Sequence, residues 1–196
     1  MSEQHPDIVD NKRGFQLLYL VMRAHAVSLA VFIRHGFGSE ALGFPGLHCF
    51  LLLWATTALS GDYGMAYYWG AWMVGLVFQR ATTITRWFKG VREHSMYDGH
   101  PFLAAQFTHN ANLAYGLVEP LFCLITGVCL GMIADMYDIE WLYSIGVWIG
   151  LGSISLSFCH WVQVAIQRRR LAAMHDMRLE NETTAQMYRE RYGEGR

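Results

Sequence analysis

Residues 113–134 read LAYGLVEPLFCLITGVCLGMIA, and residues 142–166 read LYSIGVWIGLGSISLSFCHWVQVAI. Among Asp, Glu, Lys, Arg and His, the first holds only Glu119 and the second only His160. An apolar helix of about 20 residues crosses the hydrocarbon core of a bilayer at a rise of 1.5 Å per residue. Each block has that length, so each predicts a membrane-spanning helix. The seven-residue linker 135–141 (DMYDIEW) allows little more than a turn, so the two spans form an antiparallel hairpin.

The same pattern recurs upstream. Residues 42–60 (LGFPGLHCFLLLWATTALS) and 64–84 (containing YYWGAWMVGLVF) flank the short turn Gly61-Asp62-Tyr63-Gly64, which predicts a second hairpin. Pro45 fits in the first turn of its helix, where a missing N–H costs nothing. Composition agrees: the chain is 53% hydrophobic and 16% charged, whereas soluble domains carry roughly 25% charge. The expected fold class is therefore all-α, a polytopic integral membrane protein with four transmembrane helices.

Charge sets the expected orientation. The turns 61–64 and 135–141 hold Asp62, Asp135, Asp138 and Glu140 but no Lys or Arg. The opposite side holds Arg34, Arg80, Arg86, Lys89, Arg92 and the run Arg168-Arg169-Arg170. Lys and Arg accumulate on the cytoplasmic side, so both ends of the four-helix unit 42–166 are expected in the cytoplasm, with a cytoplasmic loop 86–109. Tyr63, Tyr67, Tyr68, Trp69, Trp72, Tyr137, Trp141 and Tyr143 mark the outer interface, and Trp87, Phe88 and Trp161 the inner one. The setting this implies is a bacterial cytoplasmic (inner) membrane.

Segment 15–33 is long enough to span but contains Arg23 and His25. At roughly 100° per residue, Lys12, Gln16, Arg23 and Arg34 share one narrow stripe. A basic stripe on an apolar helix suits an interfacial or re-entrant helix facing anionic headgroups, and spanning would also put Lys12 and Arg13 outside. An amphipathic interfacial or re-entrant helix over 15–34 is therefore expected, with a fifth span as the alternative. The start, 1–14, is polar and does not read as a cleavable signal peptide. The end, 167–196, reads as a charged cytoplasmic tail, partly helical, with pairs such as Arg178 and Glu182 at helical spacing.

Packing is expected where small residues recur four apart, because close backbone approach drives helix association in lipid. Gly127 with Gly131, and Gly146 with Gly150, lie on neighbouring spans at matching depth. Cys49, Cys123, Cys129 and Cys159 all fall inside apolar blocks and read as packing residues rather than a disulfide framework.

Ionisable groups inside a membrane are functional candidates by default. His48, Arg80, Glu119 and His160 each fall in the cytoplasmic half of a span, a candidate polar cluster in which Arg80 would neutralise Glu119. Pro120 breaks the backbone ladder beside Glu119 and frees a carbonyl. No cofactor is predicted. The alternative is a haem or transition metal, with His48 and His160 on oppositely running helices as ligands. His94, Asp98 and His100 in HSMYDGHPF are a second candidate metal or catalytic set, and an ordered turn is the simpler reading of that segment.

No catalytic motif is present, so the sequence leans away from an enzyme. A net charge of −1 gives no nucleic-acid signature. The expected function is a small non-enzymatic membrane subunit, an anchor or scaffold of a larger membrane protein complex. It would contact membrane lipid and other subunits or further copies of itself. The alternatives are a haem- or metal-binding redox protein and a small transporter or channel subunit.

Overall fold

Tyr68, Trp72, Gly75, Gln79 and Thr83 recur at spacings of three or four residues, and so form one stripe along a helix. In the computed structural model, which describes residues 6–38, 40–90 and 98–192, that stripe organises the packing. The chain is all-helical apart from one pair of two-residue strands. Helix α1 is Pro6–Ile33, α2 Phe44–Ser60, α3 Tyr63–Phe88, α4 Ala111–Tyr137 and α5 Glu140–Tyr192. Three of these helices contain segments long and apolar enough to cross a membrane: Arg13–Ile33, Ala111–Tyr137 and Glu140–Arg189. Helix α2 is apolar but shorter.

Local chemistry sets the helix ends. Pro45 lies in the first turn of α2, and Gly61 closes it at φ 62°, donating its N–H to the Thr57 carbonyl. The left-handed conformation that closes a helix this way costs glycine nothing. Asp62 then caps α3 by accepting from the Gly64 N–H. Asp138 ends α4 at φ 52°, a conformation that Asp tolerates better than most side chains. Within α4, residues Ala114–Val118 form a π-helical turn immediately before Glu119-Pro120. Proline removes an N–H and crowds the carbonyl four residues back, which accounts for the widened turn.

Helix α1 occupies the core of its unit. It packs on α2 and α3, and every residue from Ala26 to Val31 is buried. Small residues on its neighbours make the room. A Cβ on Gly75 would sit 2.8 Å from Val31 Cγ1, and one on Gly152 would collide with the Leu29 side chain. The α3 stripe meets the backbone of α1 and the residues after it. Tyr68 Oη donates to Ser28 O at 2.9 Å. Gln79 Nε2 donates to Val31 O at 3.1 Å and Arg34 O at 2.7 Å. Thr83 Oγ1 donates to Phe37 O at 3.2 Å. A helix end leaves carbonyls without intrahelical partners, and buried Gln79 is placed to satisfy them.

Within the stretch expected as an interfacial or re-entrant helix, 15–34, residues 26–31 are buried against neighbouring helices, and the length and apolarity of Arg13–Ile33 also suit a span. The first half is more open, with Phe15, Leu17 and Leu18 exposed, and Phe32 is exposed near the end of the helix.

Helices α4 and α5 approach closely at glycines. A Cβ on Gly127 would lie 2.6 Å from both Gly146 O and Gly150 N, and one on Gly146 would lie 3.0 Å from Gly131 N. The first turn of α3 also touches α5, where Gly64 abuts the Trp141 carbonyl. The chain divides into two compact units, Met1–Cys159 and His160–Arg196, with α5 continuous through the boundary. In the second unit, every side chain over 165–189 is exposed.

Candidate functional site

Two arginines of the α1 stripe find carboxylates. Arg34 Nη2 lies 2.6 Å from Glu119 Oε2, and its Nε lies 3.0 Å from the same oxygen and 3.2 Å from Oε1. The Glu119 side chain is 1% exposed and that of Arg34 10%. Arg23 makes a two-pronged pair with Asp98, Nη1 to Oδ2 at 3.0 Å and Nη2 to Oδ1 at 2.5 Å. The planar guanidinium fork matches both carboxylate oxygens at once.

Short-range structure brings these partners together. The π-turn carries Tyr115, whose ring lies 4.7 Å beneath the Arg34 guanidinium. Tyr115 Oη donates to Gly99 O at 2.7 Å. Gly99, at φ 84°, packs so closely on the residues after α1 that a Cβ would sit 3.1 Å from His35 O. Its neighbours His100–Pro101 form strand β2, antiparallel to β1, Arg34–His35. The described part of HSMYDGHPF is therefore a clasp: Asp98 on Arg23, Gly99 under Tyr115, and His100 paired with His35.

Of the sequence candidates, Glu119 is the buried carboxylate, and the cation that meets it is Arg34 rather than the expected Arg80. The Arg80 guanidinium instead approaches Gly43, 3.7 Å from the position of a Cβ there. His48 is committed to its own helix, with Nδ1 2.8 Å from the Phe44 carbonyl and its ring edge-on to Phe44. A carbonyl only accepts, so Nδ1 carries the proton and Nε2 is left as the possible ligand atom. His160 opens the second unit, with its ring against Trp161. His94 lies outside the described residues. Asp98 is engaged by Arg23, and the His100 ring stands 5.8 Å from that of His35. Among the described residues, no group of three His, Cys, Asp or Glu is placed to hold a metal ion.

A second polar cluster lies where α1 meets α3 and α5, and sequence reasoning missed it. Trp148 Nε1 donates to Ser28 Oγ at 3.1 Å, and Ser28 Oγ donates to His25 O at 2.7 Å. His25 Nε2 lies 3.2 Å from Trp148 O, and its Nδ1 3.0 Å from Ser155 Oγ. The carbonyl fixes the tautomer, with Nε2 protonated and Nδ1 accepting from Ser155. A serine bonded to an oriented histidine has the form of a nucleophile and its base. Here Ser155 is 1% exposed and both ring nitrogens of His25 are engaged, so the pair is closed to substrate. The available signal was the polar residues His25, Ser28 and Ser155 interrupting apolar helices.

Chemically, both clusters tie α1 to the rest of its unit. Breaking a buried pair such as Arg34–Glu119 from one side strands a charge and costs about 3–5 kcal/mol. Comparison of the chain with protein-family models, curated proteins and solved structures gives no match.

Proposed function

We propose that this protein is a membrane-embedded anchor or scaffold subunit that presents the end of α5 to a protein partner in the cytoplasm. In this reading α2 and α3 form one membrane hairpin, and α4 and α5 the other. Helix α1 is inserted among them, with Arg34 and Glu119 in the cytoplasmic leaflet. The acidic turns 61–64 and 135–141 face outward, and loop 86–109 and tail 167–196 face the cytoplasm of a bacterial cell. An excess of Lys and Arg on that side supports the orientation.

One observation carries the reading. Helix α5 continues without a break from an apolar segment into a charged one, and all its side chains from 165 to 189 are exposed. Helical stability in proteins comes mostly from packing of a helix face, and among the described residues the side chains of this segment from 165 to 189 are all exposed. Leu171, Met174, Met177, Leu179 and Met187 are exposed apolar side chains on it. The intramembrane carboxylate, by contrast, is already neutralised within the fold.

The test is to release the full chain and a variant ending at residue 166 gently from their own membrane and weigh the assemblies by native mass spectrometry. Protein masses in fixed ratio with the full chain, lost from the truncated one, are expected. A chain that leaves the membrane alone, or an identical set of companions on both forms, would sink the anchor reading.

A further inference from the structure

A groove of about 330 Å³ lies against α1, α3, α4 and α5 within the first unit. Leu29, Ile33, Tyr68 and Cys123 form its buried floor, and the rings of Phe32 and Phe122 stand exposed at its rim. Its exposed lining is wholly apolar. Two lining residues carry hydroxyls, Tyr68 and Thr126; Tyr68 Oη is turned onto the Ser28 carbonyl, and neither presents polar surface to the groove. The groove is about twice the size of the ~150 Å³ apolar cavity that stays dry yet takes up benzene.

We propose that this groove holds one acyl chain of a membrane phospholipid as a fixed component of the folded protein. Water has no polar partner there and is excluded. An empty groove would forfeit dispersion contacts along its whole lining. The occupant is therefore apolar. The lining belongs largely to helices long and apolar enough to cross a membrane, so the apolar material at the groove mouth is lipid tail. The volume suits a hydrocarbon chain rather than a second helix, and the small lining side chains Ala71, Cys123 and Thr126 leave the space for it. Ile33 and Phe122 also border the small pocket beside Glu119, so the groove lies near the Arg34–Glu119 pair.

The experiment uses the full-length protein in vesicles of phosphatidylethanolamine and phosphatidylglycerol doped with a phosphatidylcholine carrying a diazirine on one acyl chain. After illumination, labelled peptides are mapped by mass spectrometry, and native mass spectra are taken from mild detergent. Labelling concentrated on Phe32, Phe122 and Ile149, with one phospholipid mass retained per chain, is expected. Ala71→Phe, which places a ring in the groove, abolishes both signals, whereas Val74→Phe at an exposed site outside the lining leaves them intact. Thr126→Leu narrows the groove from α4 and serves if Ala71→Phe does not fold. Labelling spread evenly over exposed residues such as Leu51, Val77 and Ile133 overturns the proposal. So does retention of a free fatty acid, an isoprenoid or a second protein chain in place of a phospholipid.

Discussion

Arg34 with Glu119 and Arg178 with Glu182 are the same pair of side-chain types in two opposite settings. The first joins the residue directly after α1 to α4 across 85 positions of sequence, with its carboxylate 1% exposed. The second is one turn of one helix, with side chains 79% and 56% exposed. Water and salt screen the second, so it contributes little. The first was taken out of water, so each partner depends on the other. Salt bridges in this chain therefore report burial more than charge. In the first unit Arg23 and Arg34 hold α1 and the residue after it to Asp98 and Glu119, whereas the charged side chains between 165 and 189 are exposed.

Single substitutions probe that contrast, and the largest effect is expected at the buried pair. Arg34→Ala should destabilise the purified protein by about 3–5 kcal/mol, because Glu119 is left buried and uncompensated. Unfolding titrations in mixed micelles would measure it, and a loss under about 1 kcal/mol would place Glu119 in contact with water. Asp98→Asn comes next. It leaves Arg23, whose side chain is 16% exposed, with a neutral partner, and hydrogen bonds to charged groups contribute about 1.5–3 kcal/mol. Unchanged protease sensitivity of loop 86–109 in this variant would remove the clasp from the account.

Gly127→Val tests the close approach of α4 to α5. With Gly146 O and Gly150 N 2.6 Å from the new Cβ, the helices must separate, and overpacking of this kind costs about 1–3 kcal/mol. Gly131→Val makes the internal control, since nothing lies within 4 Å of a Cβ there. Equal melting temperatures for the two variants would rule out the glycine contact. The smallest effect belongs to Arg178→Ala, at about 0.3–0.5 kcal/mol. A loss as large as that of Arg34→Ala would mean the α5 extension is packed in a way its exposure denies.

The helical class was legible because apolar blocks of bilayer length need no long-range information. The glycines at 127, 131, 146 and 150 stood out in the sequence by their spacing of four, and a Cβ on Gly127 or Gly146 would meet the backbone of the neighbouring helix. The role of α1 was not legible. Its basic stripe has the same periodicity whether headgroups or carboxylates neutralise it, and only the fold brings Asp98 and Glu119 to that face. The partner of Glu119 was ambiguous on the same ground: Arg34 and Arg80 both fall on the side the sequence reads as cytoplasmic, and only the fold brings Arg34 to Glu119. The stripe Tyr68, Trp72, Gly75, Gln79 and Thr83 was readable, but its mixture of polar and apolar residues matches no simple amphipathic pattern. It faces backbone carbonyls at the end of α1 as well as a core.

The most direct test of the central claim, that charge inside the membrane domain serves to clamp α1, is a double-mutant cycle on Arg34→Ala and Glu119→Ala in the full-length protein. The account predicts a coupling of at least about 2 kcal/mol, with the double variant more stable than the sum of the single losses implies. Losses that simply add, within about 0.5 kcal/mol, would mean the two side chains do not depend on each other and would contradict it.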